Sequence, residues 1–373
     1  MINNIEMCSG CTACISVCPF NAIIEDYNDE GFFYPKVVPE MCKNCNKCGK
    51  VCQIGQNITE HNVNTFVVQN KDTAQRSVSQ SGGLFSALAT VILNNGGVCY
   101  GAALTDDFKV IQMRIESIEQ LPVLQGSKYV QSNAIGTFRQ VENDLKNGKK
   151  VLYSGTSCMI DGIIKYLSEK RVSVDSFWTS DLICHGVPSP MIWQDNIKLH
   201  NKNNNLIEAK FRDKSKGWAS SFESYRYDDG VTVFEIFYNK LFYSDVVLRN
   251  NCYSCQYVNP KAKPADITMA DFWGVRSIDS PIADDNTGIS LAIVHTSKGL
   301  ELMKSANLEI HNISFEDGMK NNMQTPAFKP KYRKLFWNDY KKYGYEYCVK
   351  KYTKKGGLKY YINKAILKLT KRW

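Results

Sequence analysis

Eight of the 14 cysteines fall into two closely spaced runs near the start of the chain. The first run reads Cys-x2-Cys-x2-Cys-x3-Cys-Pro, and the second repeats the cysteine spacing 34 residues later. In bacterial ferredoxins the first three thiolates of such a run bind one cubane 4Fe-4S cluster, and the fourth binds the other cluster. The spacing therefore predicts two clusters, the first held by Cys8, Cys11, Cys14 and Cys52 and the second by Cys18, Cys42, Cys45 and Cys48.

Two zinc sites are the alternative interpretation of these runs. Zinc ribbons use two Cys-x2-Cys pairs with a longer spacer between them, which differs from two four-cysteine runs in tandem. Gln53 stands where the second run would usually carry proline, but this position is not a ligand. The tandem pattern therefore favours clusters over zinc.

Four further cysteines are spread along the rest of the chain: Cys158, Cys184, Cys252 and Cys255. The first two follow apolar runs that predict buried strands, and α/β folds place their sites at the carboxyl ends of such strands. A Cys-x2-Cys pair and two distant cysteines can converge on one metal. On spacing alone, a third cubane cluster, a zinc site and free buried thiols all remain open. The last two cysteines, Cys99 and Cys348, are interpreted as a core residue and an unpartnered thiol.

Charge is distributed unevenly along the 373 residues. The formal net charge is +9, but residues 328–373 contain 15 basic and two acidic residues, so this segment carries +13 and the remainder −4. The N-terminus lacks a secretory signal, and no run of about 18 apolar residues is present. We therefore expect a cytoplasmic protein, in which many cysteines indicate metal binding or redox chemistry rather than disulfides.

The pattern of elements predicts an α+β protein in three parts. These are a two-cluster ferredoxin domain over 1–60, a larger mixed α/β domain over 65–325 and a basic helical tail over 326–373. In the larger domain, strands are expected at 65–69 and 98–104, with a helix between them that Ser81 caps.

The segment Ser81, Gly82 and Gly83 at that helix start could bind an anion. Free N–H groups and the helix dipole favour a phosphate there, although two glycines at a helix start more often form a simple turn. The chain contains no GxGxxG segment, so a Rossmann dinucleotide site is not supported.

The basic tail has two interpretations. Ile362, Ile366, Leu369 and Trp373 recur at helical spacing between basic residues. Such a helix can lie on an anionic membrane, which would place the protein at the inner membrane surface. The alternative is a helix packed on its own domain. Nucleic-acid binding is not expected, because the body is acidic and carries no nucleic-acid motif.

Seven segments resemble, in order, the coenzyme F420 hydrogenase/dehydrogenase beta-subunit family, of the kind with a fused N-terminal ferredoxin domain. The matching segments are SQSGGLFSALA (79–89), GSKYVQS (126–132), VLYSGTSC (151–158), DLICHGVPSP (181–190), FRDKSKGW (211–218), NCYSC (251–255) and ADITMADFWG (265–274). The chain departs from the family at Ser157, Met159 and Ala270, which puts flavin and substrate contacts near these positions in doubt.

The resemblance implies cofactors that spacing does not show. Family members bind FAD and a cubane cluster in the main domain, so the four distant cysteines are expected to hold a third cluster. The resemblance also implies flavin contacts at Ser81, Gly82, Gly83, Lys128 and Thr156. Roles in flavin polarisation or proton transfer are expected for Lys128, His185 and Asp271.

The function implied is that of an iron–sulfur flavoprotein oxidoreductase. Electrons are expected to pass from a soluble donor such as ferredoxin through the clusters to FAD and an organic acceptor. Bacterial members of the family often occur with polysaccharide synthesis. The alternative is an electron-transfer subunit that serves a partner subunit and has no substrate of its own. The acceptor, including a deazaflavin, stays open.

Overall fold

The computed structural model describes residues 5–56, 58–202 and 205–353. Within these residues the α-helices are α1 (Ala13–Val17), α2 (Lys47–Lys50), α3 (Thr73–Val78), α4 (Leu84–Asn94), α5 (Thr137–Lys146), α6 (Ser157–Glu169), α7 (Pro190–His200), α8 (Phe237–Tyr243), α9 (Ser297–Ser305), α10 (Phe315–Gly318) and α11 (Arg333–Thr353). The strands are β1 (Ile23–Tyr27), β2 (Phe33–Val37), β3 (Asn64–Asn70), β4 (Val98–Leu104), β5 (Val110–Ile115), β6 (Val151–Ser154), β7 (Phe177–Leu182), β8 (Leu206–Lys210), β9 (Glu223–Tyr227), β10 (Thr232–Glu235), β11 (Ile267–Asp271), β12 (Ser290–Val294) and β13 (Leu308–Asn312). Single 3-10 turns span Ile5–Met7, Ile118–Leu124, Lys214–Lys216, Asn250–Ser254 and Trp273–Arg276.

An eight-stranded mixed sheet forms the centre of the larger domain, as the α+β prediction required. Its order is β13-β3-β12-β11-β7-β6-β4-β5. The neighbours β4, β6, β7 and β11 run parallel, whereas the outer pairs are antiparallel. The carboxyl ends of parallel neighbours meet at one edge of a sheet. The chain segments that follow β6, β7 and β11 therefore lie together.

The N-terminal part packs directly against the larger domain. It consists of the hairpin β1–β2 with α1 and α2, and its apolar residues Ala13, Val17 and Val51 share one buried cluster with residues of α5 and α6. The Arg139 guanidinium donates to the carbonyls of Ser16 and Cys18 and to the side chain of Asn21. These contacts fix the N-terminal part beside α5 and α6.

One predicted helix boundary is wrong. The helix expected within 79–94 begins at Leu84, and its N-cap residue is Gly83 rather than Ser81. Ser81 has a positive φ of 54°, and its Oγ donates to the Ile289 carbonyl at 2.7 Å. The serine side chain therefore ties the turn to the strand β12, so it is not available to cap α4. The strands predicted at 65–69 and 98–104 are confirmed as β3 and β4.

The described part of the basic tail packs on the larger domain. Helix α11 is kinked at Gly344, where φ is 79°, and it buries Phe336, Trp337 and Cys348 in a core shared with α7 and α8. The predicted amphipathic positions 362–373 lie outside the described residues. Within the described ranges, no helix has the length and apolarity needed to cross a bilayer.

Candidate metal centres and cofactor cleft

The first predicted ligand set comes together between the start of α1 and the end of α2. Charges on Cys8 and Cys52 contribute to the raised pKa of Cys14. Burial is the main cause of the rise and brings the pKa of Cys11 to about 12. The Gly10 N–H donates to Cys8 Sγ at 3.3 Å, a contact that stabilises a metal-bound thiolate. Cys52, from the second run, thus lies with the first run.

The second predicted set lies farther from the sheet. Cys18, Cys42 and Cys48 pack in one small cluster, where the Ala22 N–H donates to Cys18 Sγ at 3.3 Å. Cys45 is exposed in the loop before α2. Cys18, from the first run, therefore lies with the second run. Cys14 of the first set packs against the same cluster, so the two sets adjoin.

The four distant cysteines also converge. Cys158 lies at the start of α6, and Cys184 follows β7. Cys252 and Cys255 lie in and directly after the turn at Asn250–Ser254. Charges within the set act on one another, and burial raises all four thiol pKa values, that of Cys158 to about 11 and that of Cys184 to about 12. The backbone at Gly186, Val187 and Tyr257 acts in the opposite direction and lowers the pKa values of Cys184, Cys252 and Cys255, respectively. The parallel sheet edge thus assembles a third donor set.

The first and third sets meet where α1 crosses α6. The charge of Cys158 contributes to the raised pKa of Cys11, after burial. At Gly162 on α6, an added Cβ would lie only 2.9 Å from Cys11 Sγ. The absence of a side chain at Gly162 is therefore what allows Cys11 to sit against the helix that begins at Cys158.

The donor chemistry fits cubane clusters better than single ions. Among the described residues, no three Cys, His, Asp or Glu side chains converge closely enough to hold one metal ion. Zinc would draw four sulfurs to about 2.3 Å from a common centre. In a cubane cluster the four thiolates are spread over separate irons, and N–H groups bond the sulfurs. The N–H groups that donate to Cys8 Sγ and Cys18 Sγ suit the second arrangement.

Cys99 and Cys348 belong to none of the three sets. Both are fully buried in apolar clusters, and burial raises the pKa of each thiol to about 12. They behave as core residues.

The predicted anion turn makes most of its hydrogen bonds within the protein. The Gly82 N–H donates to Ser290 Oγ at 2.9 Å, and the Gly83 N–H donates to the Gln80 carbonyl at 3.3 Å. A Cβ at Gly82 would lie 2.6 Å from the Ser290 nitrogen, so the turn is wedged against β12. The backbone of this turn therefore has fewer free N–H groups for an anion than the sequence suggested.

Two cationic side chains, Lys214 and Arg76, lie beside this turn and provide positive charge there. Lys214 Nζ donates to the carbonyls of Arg76, Ser79 and Ser81 at 2.7 to 2.9 Å. Burial and the charge of Arg76 lower the pKa of Lys214 to about 8. Arg76 Nε is buried and has no hydrogen-bond partner. The free Arg76 N–H can donate to a phosphate, although the Arg76 guanidinium also pairs with Asp285 at 3.0 Å. Lys214 has donated its three N–H groups to carbonyls, so it contributes positive charge beside the turn.

Lys128 lies near the same turn. Its Nζ donates to the carbonyls of Gln125 and Val123 at 2.6 and 3.1 Å. The Gln125 side chain in turn donates to Ser79 and Ser86. Gln125 thus links Lys128 to the turn. Among the described residues, no carboxylate bonds Lys128.

Lys128 gives rise to a prediction on pH dependence. Burial lowers the pKa of Lys128 from 10.5 to about 7, so between these values the unfolded chain binds a proton that the folded chain does not. Between about pH 7 and about pH 10, the free energy of unfolding of the parent is therefore expected to rise with pH relative to that of Lys128→Met. Urea denaturation of both proteins at about pH 7 and about pH 9 measures this difference. A difference that stays constant with pH would contradict the buried neutral amine.

The other predicted catalytic residues each have a local partner. His185 Nε2 lies 2.6 Å from Asp245 Oδ1, and its Nδ1 lies 3.1 Å from the Met323 sulfur. The Arg212 guanidinium donates to Asp271 at 2.8 Å.

An aromatic layer connects these local pairs. Tyr129 stacks on Phe242 with ring centroids 4.6 Å apart, and Phe242 meets the His185 ring edge at 4.9 Å. Tyr243, whose ring centroid lies 5.8 Å from that of His185, remains exposed, as does Trp273, whose ring centroid lies 5.6 Å from the Arg212 guanidinium carbon. His185 and Tyr129, which follows Lys128 in the chain, therefore lie in one aromatic layer.

Thr156 lies at the third cysteine set rather than at the turn. Its Oγ1 is 3.2 Å from Cys158 Sγ, and Thr156 is the N-cap of α6. Sequence reasoning missed Arg76, Arg249 and Lys263, whose decisive contacts are long-range. Lys263 Nζ donates to Ser157 Oγ and the Leu182 carbonyl at the carboxyl ends of β6 and β7. A 770 Å³ cleft between 28–30 and 329–341 contains none of the predicted site residues.

Comparisons with known protein families bear on both parts of the chain. Residues 7–55 match the model described as a 4Fe-4S dicluster domain. Residues 148–317 match the model for the C terminus of the coenzyme F420 hydrogenase/dehydrogenase beta subunit. These two ranges contain all twelve predicted ligand cysteines. The segments at 79–89 and 126–132 lie outside both ranges.

A similar chain among solved structures comes from the xenon-derivatised F420-reducing NiFe hydrogenase complex of Methanosarcina barkeri. It is 16% identical, with 68% of this chain and 83% of that chain covered at a TM-score of 0.49. A search of curated proteins found no match.

Proposed function

Since the chain carries the C-terminal domain of the coenzyme F420 hydrogenase/dehydrogenase beta-subunit family behind a 4Fe-4S dicluster domain, we propose that it is an oxidoreductase that passes electrons from a ferredoxin-type donor to an organic acceptor. The observation that carries this proposal is the convergence of twelve cysteines into three adjoining sets. When bound, cubane clusters exchange single electrons and a flavin exchanges one or two.

Three cysteine sets are proposed to hold three 4Fe-4S clusters. The set with exposed Cys45 lies at the surface, the set of Cys8 and Cys11 follows, and the set of Cys158 adjoins the sheet edge. Backbone N–H groups hold the sulfurs in place, and the packing of α1 on α6 fixes the distance between the last two sets. The surface position of Cys45 suits contact with a soluble donor.

The flavin is proposed to be FAD, with its diphosphate near the cations around the turn at 79–83. Arg76 offers a buried unpartnered N–H, and Lys214 holds the turn through three carbonyls. The exposed rings of Tyr243 and Trp273 offer an apolar face to a planar ring. His185 is held by Asp245 and could take or give a proton at Nδ1 or Nε2.

The experiment that tests this function uses the full chain purified anaerobically. Denaturation is expected to release FAD, reduced ferredoxin is expected to bleach the bound flavin, and an acceptor screen that includes a deazaflavin is expected to find a reducible compound. A chain that carries iron but neither binds flavin nor reduces any acceptor would contradict the enzyme and leave the second candidate.

A lysine pair tests where the flavin binds. Lys214→Met is expected to lower FAD retention by about tenfold or more, because it removes a charged contact at the proposed phosphate site. Lys216→Met is the matched control, since Lys216 lies in the same turn but sits over the Phe234 ring at 4.0 Å. FAD content after gel filtration measures both. Equal FAD retention in the two variants would contradict a diphosphate site at this turn.

The second candidate is an electron-transfer subunit that serves a partner subunit. The match to a beta-subunit domain supports it. Co-purification of another chain from the native source, together with no acceptor activity of the isolated protein, would favour it. A link to polysaccharide synthesis would be tested by including sugar-derived acceptors in the screen.

Contact with a membrane surface is a further part of the proposal. Residues 328–373 carry the formal +13, and Phe328 and Leu335 are exposed beside basic residues. Co-sedimentation with anionic vesicles of the full chain and of a chain that ends at residue 353 tests it, because the described helix α11 stays intact in both. Equal vesicle binding by the two chains would contradict a role of residues 354–373 as the membrane anchor. Absence of vesicle binding by either chain would contradict the membrane contact.

A further inference from the structure

We propose that Arg249 is the buried counter-cation of the iron–sulfur sites and that its charge raises the reduction potential of the clusters where the first and third cysteine sets meet. This inference rests on the proposed function, because it concerns clusters held by those sets. Arg249 was not among the residues that spacing pointed to, although it lies three positions before Cys252.

Arg249 is a fully buried residue that joins the two cysteine sets. Its Nε donates to the Cys8 carbonyl at 2.6 Å, and its Nη1 donates to Gln131 Oε1 at 2.9 Å. The guanidinium carbon lies 4.2 Å from the centre of the Tyr34 ring. On the other side, the Arg249 carbonyl accepts a hydrogen bond from the Cys252 N–H at 3.0 Å, and the Arg249 N–H donates to the Val187 carbonyl at 3.0 Å. Arg249 therefore joins the segment of Cys8 to the segments of the third set.

The charge of Arg249 lacks an anionic partner among the described residues. Its Nη2 is buried without a hydrogen-bond acceptor, and no carboxylate forms an ion pair with it. The two comparable buried arginines differ, because Arg212 pairs with Asp271 and Arg333 pairs with Glu30. An isolated buried charge is costly to fold, so buried charges are normally paired.

Anionic clusters supply the missing partner. A cubane cluster held by four thiolates carries net negative charge, and Arg249 lies at the junction of two such donor sets. Reduction adds one electron and makes or breaks no bond to the protein, so its cost depends on the surrounding charges. A fixed positive charge stabilises the more negative, reduced form and therefore raises the potential.

The test compares three variants of the full chain, each loaded with clusters anaerobically. Arg249→Met removes the charge, and Arg249→Lys keeps it. Arg226→Met is the control, because it removes an exposed arginine whose guanidinium donates to Glu208 and, among the described residues, to no cysteine-bearing segment. Redox titration followed by electron paramagnetic resonance measures the midpoint potential of each cluster, and iron analysis measures loading.

For Arg249→Met we expect at least one cluster to become harder to reduce by about tenfold, which is about 59 mV to more negative potential for one electron. Arg249→Lys is expected to keep potentials closer to those of the parent, and Arg226→Met is expected to have the parent's potentials. Unchanged potentials in a fully loaded Arg249→Met protein would overturn the inference and leave the three-cluster proposal intact.

Loss of iron is also a decisive outcome. If Arg249→Met fails to retain its clusters while Arg249→Lys retains them with near-parental potentials, the charge is required and the inference stands. If both variants lose iron equally, the hydrogen bonds rather than the charge hold the site, and the inference is overturned. A parent protein without iron would overturn the proposed function itself.

Discussion

Replacing Cys158 with alanine is expected to lower the iron content of the chain from about twelve to about eight atoms, because each cubane cluster contains four irons and depends on four thiolates. The eight N-terminal cysteines are unchanged by this substitution, so their two clusters are expected to remain. Iron analysis of anaerobically purified protein measures the change.

Cys99→Ala is the matched control for this prediction. Cys99 is also buried, but it lies in the apolar core below α4 and its sulfur bonds only the Ala89 carbonyl, at 3.8 Å. It is expected to retain the iron content of the parent. Retention of all iron by Cys158→Ala, or the same loss in both variants, would exclude Cys158 as a specific ligand.

Arg212→Met is expected to lower the free energy of unfolding by about 3–5 kcal/mol, because it leaves a buried carboxylate without its partner. The side chains of Arg212 and Asp271 are only 5% and 12% exposed and lie 2.8 Å apart. The arginine also donates to the Trp218 carbonyl at 2.5 Å. Urea denaturation at matched iron content measures the loss.

A surface pair provides the comparison for Arg212. Arg226 donates to Glu208 at 2.9 Å, but their side chains are 49% and 38% exposed. Arg226→Met is expected to cost about 1 kcal/mol or less, because solvent screens such pairs. If the two substitutions cost the same, the Arg212–Asp271 pair would not stabilise the fold as a buried ion pair.

The grouping of the cysteines was the most predictable part of the candidate site. The spacing of the two N-terminal runs is a local property, and it predicts Cys52 with the first set and Cys18 with the second. In the structure the charge of Cys52 acts on Cys14, and Cys18 packs beside Cys42 and Cys48. That these thiols bind iron stays a prediction. The apolar runs before Cys158 and Cys184 also indicated strand ends, and β6 and β7 end there. Short-range pattern was enough in both cases, because the sheet edge brings neighbouring strand ends together.

The surroundings of the proposed flavin site were much less predictable. Ser81 has the residue type of an N-cap, but the long-range bond from its hydroxyl to Ile289 places it in a turn instead. Arg76 and Arg249 carry no spacing signal, since their roles depend on contacts with segments far away in sequence. Only a structure shows that Arg76 pairs with Asp285 at 3.0 Å while its buried Nε has no hydrogen-bond partner. Only a structure likewise shows that Arg249 has no anionic partner among the described residues.

The central claim is that twelve cysteines hold three 4Fe-4S clusters, and one measurement tests it most directly. Iron and acid-labile sulfide are counted in the anaerobically purified full chain. The account predicts about twelve irons and about twelve sulfides per chain. About four or eight irons, or metal without sulfide, would contradict it.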